Sequence, residues 1–393
     1  MPDPWLTIVG LGEDGHEGLG RASREALASA EVVIGPPRHL ALVPGARGER
    51  IEWPVPFSDG IAKLLACRGR RTVMLASGDP FHFGAASVAV RHLERGEWTC
   101  HPAPSAFSLA ASRLGWALER TACLGLHAAP FGRLVPHLAP GQRILATLRD
   151  GEAAADMAFW LTERGFGASR VTLLEALGGP RERIGSFLAR DGAPEADHPL
   201  IAAIEPDGPA LPCASGLPDG TFETDGQITK RPVRALALSA LAPRPGETLW
   251  DIGAGSGSVS IEWLLSHPSC EAIAMEARPD RAARIARNAE ALGADRLRVV
   301  EGLAPEALSG LPAPDAVFVG GGLSGALLDA VDAAAPKARL VAHAVTLESE
   351  ALLTARHAAE GGELLRIELS APVPLGPKRG WRAAHPVTQW VRP

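Results

Sequence analysis

The sequence feature that most constrains the fold is a short apolar run that leads directly into a glycine-rich turn, and it occurs twice. Residues 6–9 lead into the turn GLGEDG at residues 10–15, and residues 248–252 lead into GAGSG at residues 253–257. A helical pattern follows each turn. Because a strand, a tight turn and a helix in this order build parallel sheets covered by helices, the sequence predicts an α/β fold.

The length of 393 residues predicts more than one domain, since domains of about 100–200 residues are common. Proline and glycine are dense in residues 205–226, where no periodic apolar pattern survives. We therefore expect an N-terminal domain over residues 1–205, with lobes of about 1–101 and 102–205. A linker over residues 206–226 and a C-terminal domain over residues 227–393 would follow.

The composition excludes several classes of protein. With a net charge of −6 and only scattered lysines, the chain has no basic stripe for nucleic acid or an anionic membrane. The five cysteines form no C-x-x-C pair, which predicts neither a disulfide framework nor a cysteine metal site. No apolar run approaches the roughly 18 residues of a membrane span, and no basic secretion signal opens the sequence. We expect a cytoplasmic protein without a bound metal.

The C-terminal half does not end as an all-parallel sheet would. Up to residue 342, strand patterns alternate with helical ones such as residues 279–292. The last two strand-like runs, residues 364–369 and 386–391, have no helix between them. This ending predicts an antiparallel edge on an otherwise parallel sheet.

The first turn matches the G-x-G-x-x-G pattern of a dinucleotide-binding loop, so an NAD-dependent oxidoreductase is one alternative. However, Glu13 and Asp14 would oppose a pyrophosphate, which needs backbone N–H groups and positive potential. The next strand pattern also ends in Gly35 and Pro36 rather than in the acid that holds a ribose. We therefore expect a ligand without phosphate at this turn, and NADH binding would distinguish the alternative.

The second turn carries a more specific pattern. Ser258 occupies the position where a dinucleotide loop needs glycine, and the next strand pattern ends in Glu276, which could accept hydrogen bonds from two ribose hydroxyls. The pattern resembles the S-adenosylmethionine fingerprint of the seven-stranded methyltransferases, in which glycines let the ligand approach the backbone. The candidate contacts are Asp251, Gly253, Ala254, Gly255, Ser256, Gly257 and Glu276.

Motifs along the whole chain resemble families of corrin biosynthesis. Over about residues 5–190 the segments TIVGLGEDG, VVIGPPRHL, LASGDPFHFG, PAPSAFSLAASRLGW and VTLLEALGGPRERI resemble the tetrapyrrole methylases, in family order. The segments GQITKRPVRALALSAL, LWDIGAGSGSVSIEW, MEARPDRAARIARNAEALG, VEGLAPEAL and PDAVFVGGG resemble the decarboxylating C15 methyltransferases of the same pathway. Both halves in this order resemble the bifunctional C5,15-methyltransferases of that pathway.

The resemblance implies a two-lobed tetrapyrrole methylase fold followed by a seven-stranded Rossmann-like methyltransferase domain. The N-terminal domain would bind S-adenosylmethionine between its lobes and methylate precorrin-6B at C5. The C-terminal domain would methylate C15 and decarboxylate the C12 acetate, giving precorrin-8 in cobalamin biosynthesis. Two S-adenosylmethionines and no metal would be used in each cycle. Relatives of the C-terminal domain form tetramers, so the resemblance also implies a homo-oligomer.

Further site residues follow from this resemblance. The implied cofactor contacts outside the second turn are Gly10, Asp79, Ser105, Thr229, Leu303 and Ala304. A polycarboxylate substrate needs local positive charge, for which the candidates are Arg231, Arg234 and Arg379. The run Gly320, Gly321 and Gly322 leaves a bare backbone after a strand, where a flat macrocycle could bind. Lys230 and His343 are the candidates for a catalytic side chain.

Two alternatives stay open within this interpretation. The equivalent reactions on cobalt-precorrin intermediates need the same methyl-transfer geometry, and assays with metal-free and cobalt-containing substrates would separate them. A second alternative is a scaffold whose N-terminal domain only holds the macrocycle. The N-terminal domain of such a scaffold would not methylate C5, so the substitution Asp79→Ala would change nothing at C5.

Overall fold

The computed structural model describes residues 4–392, so residues 1–3 and 393, at the outer ends of the predicted domains, lie outside the described residues. The chain divides into two compact units. The first runs to Ala129 and resumes over His137–Pro209, and the second comprises Pro130–Pro136 and the chain from Ala210. Each unit has its own sheets, so the predicted α/β class is confirmed.

The first sheet of the first unit is entirely parallel. Its strands are β1 (Leu6–Leu11), β2 (Val32–Gly35), β3 (Glu49–Glu52), β4 (Thr72–Ser77) and β5 (Trp98–His101), in the order β3-β2-β4-β1-β5. The helices of this part are α1 (Arg21–Ser29), α2 (Pro37–Leu42), α3 (Asp59–Leu65) and α4 (Ala86–Ala89). Leu6 and Ile8 enter one apolar cluster and Val9 and Leu11 another, so β1 is buried on both faces, as parallel strands are.

The second sheet of the first unit is mixed. Its strands are β6 (Ala122–Gly125), β7 (Ile144–Leu148), β8 (Arg170–Glu175), β9 (Arg183–Leu188) and β10 (Leu200–Glu205), in the order β6-β7-β10-β8-β9. Only the β6–β7 pair is parallel. The helices are α5 (Ala106–Leu114) and α6 (Gly151–Leu161). Ser105 begins α5 because its hydroxyl accepts a hydrogen bond from the Ser108 backbone N–H at 3.1 Å, a typical N-cap.

The second unit contains nine strands and five helices within its described residues. The strands are β11 (Thr248–Ile252), β12 (Glu271–Glu276), β13 (Arg298–Glu301), β14 (Ala316–Val319), β15 (Arg339–Ala344), β16 (Glu363–Ile367), β17 (Ser370–Leu375), β18 (Lys378–Ala383) and β19 (Val387–Arg392). The helices are α7 (Arg231–Leu241), α8 (Ser258–Ser266), α9 (Pro279–Ala291), α10 (Gly325–Ala334) and α11 (Leu347–Glu360).

Seven of these strands form one sheet in the order β13-β12-β11-β14-β15-β19-β16. The first five run parallel, and β19 lies antiparallel between β15 and β16, which confirms the predicted antiparallel edge. The two remaining strands, β17 and β18, form a separate antiparallel hairpin. Because β11 and β14 lie at the centre, the glycine turn after β11 opens at the carboxyl ends of the parallel strands, where α/β sheets bind ligands.

Part of the segment expected to be a linker is packed onto the second unit. Leu217 and Phe222 are buried, and the Glu262 carboxylate of α8 accepts hydrogen bonds from the backbone N–H groups of Gly216 and Leu217 at 2.6 and 2.9 Å. Residues 216–222 are therefore fixed by buried contacts. Among residues 4–392, no helix combines the length and the apolar character needed to cross a membrane.

Candidate functional site

The first unit encloses a cavity of about 520 Å³, here called the first cavity. Its walls come from both sheets of the unit, with Leu11 and Ser77 at the ends of β1 and β4, and Thr147 and Leu174 on β7 and β8. Aromatic and aliphatic side chains make most of the wall, and Phe83 and Phe107 meet edge to face with ring centroids 5.7 Å apart. The space suits a largely apolar ligand with a few polar contacts.

Two of the three predicted cofactor residues of this unit line the first cavity. Asp79 follows β4, and its carboxylate accepts a hydrogen bond from the Phe81 backbone N–H at 2.9 Å, which fixes the turn. Ser105, the cap of α5, also lines the cavity. Gly10 lies behind the wall, where a Cβ would come within 2.0 Å of the Gly78 carbonyl oxygen. Gly10 therefore lies where the backbone of β1 passes close to the backbone of the turn after β4.

A charged network lies at the first glycine turn. Glu13 forms ion pairs with Arg38 and, at 3.4 Å, with Arg181. Arg38 lies 2.8 Å from His39 Nε2, which also lies 2.9 Å from the Ser77 hydroxyl. Burial lowers the pKa of His39 to about 4, so the ring is neutral at neutral pH. The ion pairs with Arg38 and Arg181 balance the negative charge of Glu13 within the protein.

The second unit encloses a cavity of about 530 Å³, here called the second cavity. One wall is the glycine turn after β11. Gly253 has φ +70°, and a Cβ there would come within 2.8 Å of the Gly321 backbone, so only glycine fits. Gly255 has φ +61°, but a Cβ there would meet only the Gln227 carbonyl oxygen, at 3.7 Å, and would otherwise extend into open space.

Two carboxylates hold this turn in place. Glu276, at the end of β12, accepts hydrogen bonds from the backbone N–H groups of Gly255 at 2.9 Å and Arg278 at 3.0 Å, and it lines the second cavity. Asp251 accepts from the Ser260 hydroxyl at 2.6 Å, but it is buried behind the turn. Burial raises the pKa of Asp251 to about 6, against the two hydrogen bonds from Ser260 that lower it.

The second cavity fits the ligand that the fingerprint implies. The Ser256 hydroxyl lies in its wall, buried and without a hydrogen-bond partner among the described residues, so a bound polar group could satisfy it. The backbone around Gly253 is bare, and the Glu276 carboxylate borders the space. A carboxylate can accept hydrogen bonds from ribose hydroxyls, and a hydroxyl and bare backbone can contact an amino-acid group. None of these features requires a phosphate on the ligand.

A second wall of this cavity, here called the edge wall, comes from the end of β15 and from the antiparallel edge strands. It is mostly apolar and includes Val345, Ile367 and Val387. His343, near the end of β15, is buried there, with Nε2 2.9 Å from Gln389 Oε1 of β19 and its ring edge-on to Phe318 at 4.9 Å between centroids. Burial lowers the pKa of His343, so the imidazole is neutral at neutral pH.

Most of the predicted residues of the second unit line this cavity. They are Thr229, Lys230, Gly253, Ala254, Gly255, Ser256, Glu276, Leu303, Ala304, Gly320, Gly321, Gly322 and His343. Asp251 and Gly257 lie behind the turn, and the side chains of Arg231 and Arg379 are exposed away from the cavity lining. The structure therefore brings the turn, the strand-end acid and the glycine run together and leaves those four residues outside.

The prediction that Arg234 binds substrate is wrong. Its side chain is fully buried and donates to Glu262 at 2.6 Å, to the Thr229 carbonyl oxygen at 2.5 Å and to the Leu217 carbonyl oxygen. With its donors used inside the protein, this guanidinium cannot reach a ligand. It fixes the segment that carries Thr229 and Lys230 to the cavity rim.

Sequence analysis missed two ionisable residues of the cavity lining and one polar residue that contacts the lining. Arg281 lines the second cavity while donating to Asp225 at 2.9 Å, and His385 lines it from the loop before β19. Gln389, which hydrogen-bonds to His343, is a buried amide in the strand pattern VTQWV, and that amide was the available signal. Within residues 4–392, no group of three or more His, Cys, Asp or Glu side chains is arranged to hold a metal ion.

Comparisons with known proteins cover both units. A family described as Tetrapyrrole (Corrin/Porphyrin) Methylases matches residues 5–191, and one described as Precorrin methyltransferase domain matches residues 220–392. The C-terminal domain of precorrin-6Y C5,15-methyltransferase from Rhodobacter capsulatus, a crystal structure, is 52% identical with a TM-score of 0.45, over 46% of this chain and 98% of that one.

Two relatives match along nearly the whole chain. The precorrin-6Y C(5,15)-methyltransferase [decarboxylating] of a Sinorhizobium species is 49% identical over 395 residues, which cover 98% of this chain and 96% of the relative. The protein of the same name from Mycobacterium tuberculosis H37Rv is 39% identical over 392 residues, 98% of each chain. This chain therefore belongs to the family of the decarboxylating precorrin-6Y C5,15-methyltransferases.

Proposed function

We propose that this chain is a bifunctional S-adenosylmethionine-dependent methyltransferase that methylates precorrin-6B at C5 and C15 and decarboxylates the C12 acetate, giving precorrin-8. The observation that carries the proposal is the pair of cavities of similar volume, one in each unit, in a chain whose full-length relatives are named for two methylation positions. The first unit would methylate C5, and the second would methylate C15 and release carbon dioxide. Those relatives carry names without cobalt, which favours the metal-free substrate over the cobalt-precorrin alternative.

We propose the domain division 1–205 and 227–393, with lobes of about 1–101 and 102–205 and a connecting segment over 206–226. The matched family ranges 5–191 and 220–392 support a division into two domains, and the second range, with the buried Leu217 and Phe222, favours a second domain that begins before residue 227. A two-lobed tetrapyrrole methylase fold would then precede a Rossmann-like methyltransferase domain. The five parallel strands around β11 and β14, with the glycine turn at their carboxyl ends, support the second assignment.

S-adenosylmethionine, when bound, supplies an electrophilic methyl group, and we propose one molecule in each cavity. In the second cavity Glu276 would accept the ribose hydroxyls, and Ser256 and the bare backbone from Gly253 to Gly255 would hold the amino-acid end. In the first cavity Asp79 and Ser105 are the corresponding polar groups. The chain's residues would bind, orient and exclude water, which is most of what methyl transfer requires of a protein.

The substrate would occupy the remainder of each cavity. Its carboxylates need cationic partners, and Lys230 and Arg281 line the second cavity while Arg38 and Arg149 line the first. The glycine run at residues 320–322 leaves room for a flat ring beside the apolar edge wall. We propose no metal ligand in either site.

We further propose that the chain forms a homo-oligomer, with a tetramer as the state to test. Leu375 and Trp381 of the β17–β18 hairpin are 68% and 77% exposed, and large apolar side chains on one exposed hairpin are typical of a contact surface. Light scattering on the purified full chain would measure the mass against the 41.0 kDa of one chain. A monomer at assay concentration would contradict this part of the proposal.

The activity test uses the full chain with S-adenosylmethionine and precorrin-6B, read by mass spectrometry, with the cobalt-containing substrate in parallel. We expect the metal-free product to gain two methyl groups and lose one carbon dioxide. A product that gains only the C15 methyl would indicate a first unit that merely holds the macrocycle. Turnover of the cobalt substrate alone would move the enzyme to the cobalt route, and no turnover of either would overturn the proposal.

A further inference from the structure

The reaction proposed for the second unit moves one proton between two carbons of the substrate. When the meso carbon C15 forms a bond to the methyl group, its hydrogen must leave as a proton so that conjugation is restored. When the C12 acetate loses carbon dioxide, the carbon–carbon bond pair passes into the conjugated ring. The remaining CH₂ carbon then needs a proton to become methyl. The proton released at C15 balances the proton taken up at the acetate carbon, so one carrier inside the cavity suffices.

His343 is placed to be that carrier. It lines the second cavity from near the end of β15, whereas Glu276 lines it from the end of β12, and β11 and β14 lie between these two strands in the sheet. Its Nε2 is engaged by Gln389 Oε1 at 2.9 Å, and an amide oxygen there fixes Nε2 as the protonated nitrogen. Nδ1 has no hydrogen-bond partner among the described residues. It is then the unprotonated nitrogen, and its lone pair can accept a proton from a bound molecule.

The other titratable groups that line the second cavity are less suited to carry this proton. Lys230 and His385 are exposed, so a proton on either would exchange with water. Arg281 is paired with Asp225, and a guanidinium does not give up its proton in proteins. Glu276 lies at the end of β12, separated from β15 by two strands, and accepts hydrogen bonds from the backbone N–H groups of Gly255 and Arg278. His343 is buried and neutral in the free protein, as an acceptor must be.

We propose that His343 accepts the proton released from C15 and returns it to the carbon that the departing carbon dioxide leaves on C12. The lone pair of Nδ1 forms the new N–H bond as the C15–H bond breaks. The exocyclic carbon then takes the same proton, and the imidazole is neutral again. Gln389 is a positioning residue, because it acts only by holding Nε2 as the donor. This inference rests on the proposed C15 methylation and decarboxylation.

The test compares His343→Asn with His357→Asn, a histidine on α11 outside the cavity whose Nδ1 bonds to the Gly361 carbonyl oxygen. Removing a general acid–base group lowers turnover by about 10²–10⁴-fold, so we expect that loss in kcat for C15 methylation with decarboxylation in His343→Asn. Affinity for S-adenosylmethionine, measured by calorimetry, should stay within about twofold because His343 is not among the proposed cofactor contacts. His357→Asn should match the wild-type chain in both measurements.

An isotope readout separates proton carriage from a structural role. In single turnovers in D₂O with ordinary precorrin-6B, the wild-type chain should place some of the original C15 hydrogen in the new C12 methyl group, read by NMR. Residual turnover by His343→Asn should give a methyl group whose one added hydrogen is always solvent deuterium. Gln389→Leu should lose both rate and hydrogen retention, and Gln389→Asn should recover part of each if its amide still reaches Nε2.

The outcomes distinguish this inference from the function beneath it. If the wild-type chain neither methylates C15 nor releases carbon dioxide, the proposed function fails. If the wild-type chain turns over but its C12 methyl always carries one deuterium, direct return of the proton is overturned. If His343→Asn keeps the wild-type rate or hydrogen retention, His343 is not the carrier.

Discussion

Burial of Asp251 makes the stability of the second unit depend on pH. The folded protein raises the pKa of this carboxyl from 3.8 to about 6, so between these values the folded state binds more protons than the unfolded state. Stability therefore falls as pH rises through this window. The carboxylate anchors α8 through Ser260, yet its charge costs the fold free energy at neutral pH.

The substitution Asp251→Asn tests this cost. A shift of this size corresponds to about 3 kcal/mol, so relative to the wild-type chain the free energy of unfolding of Asp251→Asn should rise by up to that amount between about pH 4 and about pH 7. Urea unfolding of the full chain without ligand, at several pH values, measures the difference. A difference that stays constant with pH would contradict the buried-charge explanation.

Sequence analysis reached different depths for different residues. The strand-end acid Glu276 and the turn glycines Gly253 and Gly255 were found because their chemistry requires a fixed spacing, and they do meet at one cavity. Arg234 was misjudged because an arginine near a glycine-rich segment has the same pattern whether it faces a ligand or a buried carboxylate. Only the fold shows that Glu262, 28 residues further along the chain, lies 2.6 Å from it.

At the scale of elements, periodic segments were predicted closely and irregular ones poorly. The helix expected over residues 279–292 is α9, Pro279–Ala291, and the expected last two strands are β16 and β19. Residues 86–92 form only the one-turn helix α4, Ala86–Ala89, and a 3-10 turn over Val90–His92. The β17–β18 hairpin escaped notice because its prolines and exposed apolar residues lack a clear alternation.

The glycine turn after β11 supports a prediction with a matched control. Gly255 lines the second cavity, so the side chain of Gly255→Val would occupy ligand space, whereas a Cβ at Gly246 would meet nothing within 4 Å. Both glycines have positive φ, +61° and +85°, so the backbone strain should be similar. We expect comparable losses of stability by urea unfolding, but loss of S-adenosylmethionine binding in the second cavity for Gly255→Val alone.

Calorimetry on the full chain would measure how many S-adenosylmethionine molecules each chain binds. The wild-type chain and Gly246→Val should bind two S-adenosylmethionines, and Gly255→Val should bind one. Two bound molecules in Gly255→Val would contradict a binding site at this turn. One bound molecule in the wild-type chain would instead contradict the proposal of a site in each unit.

At the scale of the whole molecule, the charge balance opposes the proposed substrate. A chain of net charge −6 repels a polycarboxylate at long range, so local cations must supply the attraction. Each cavity has two such groups in its lining, Arg38 and Arg149 in the first and Lys230 and Arg281 in the second. The two units thus each carry a cavity lined by the polar groups proposed for a cofactor and by the cationic groups proposed for the acid side chains.

This duplication predicts that either activity can be removed alone. Ala106, at the start of α5, is exposed and lines the first cavity, so Ala106→Trp should fill that space without disturbing the core. With precorrin-6B, we expect Ala106→Trp to give a product that gains one methyl group and loses carbon dioxide. Gly255→Val should give a product that gains one methyl group and keeps the acetate, because only the first cavity stays open. Mass spectrometry separates these products, and loss of both activities in either variant, with the fold retained, would contradict independent sites.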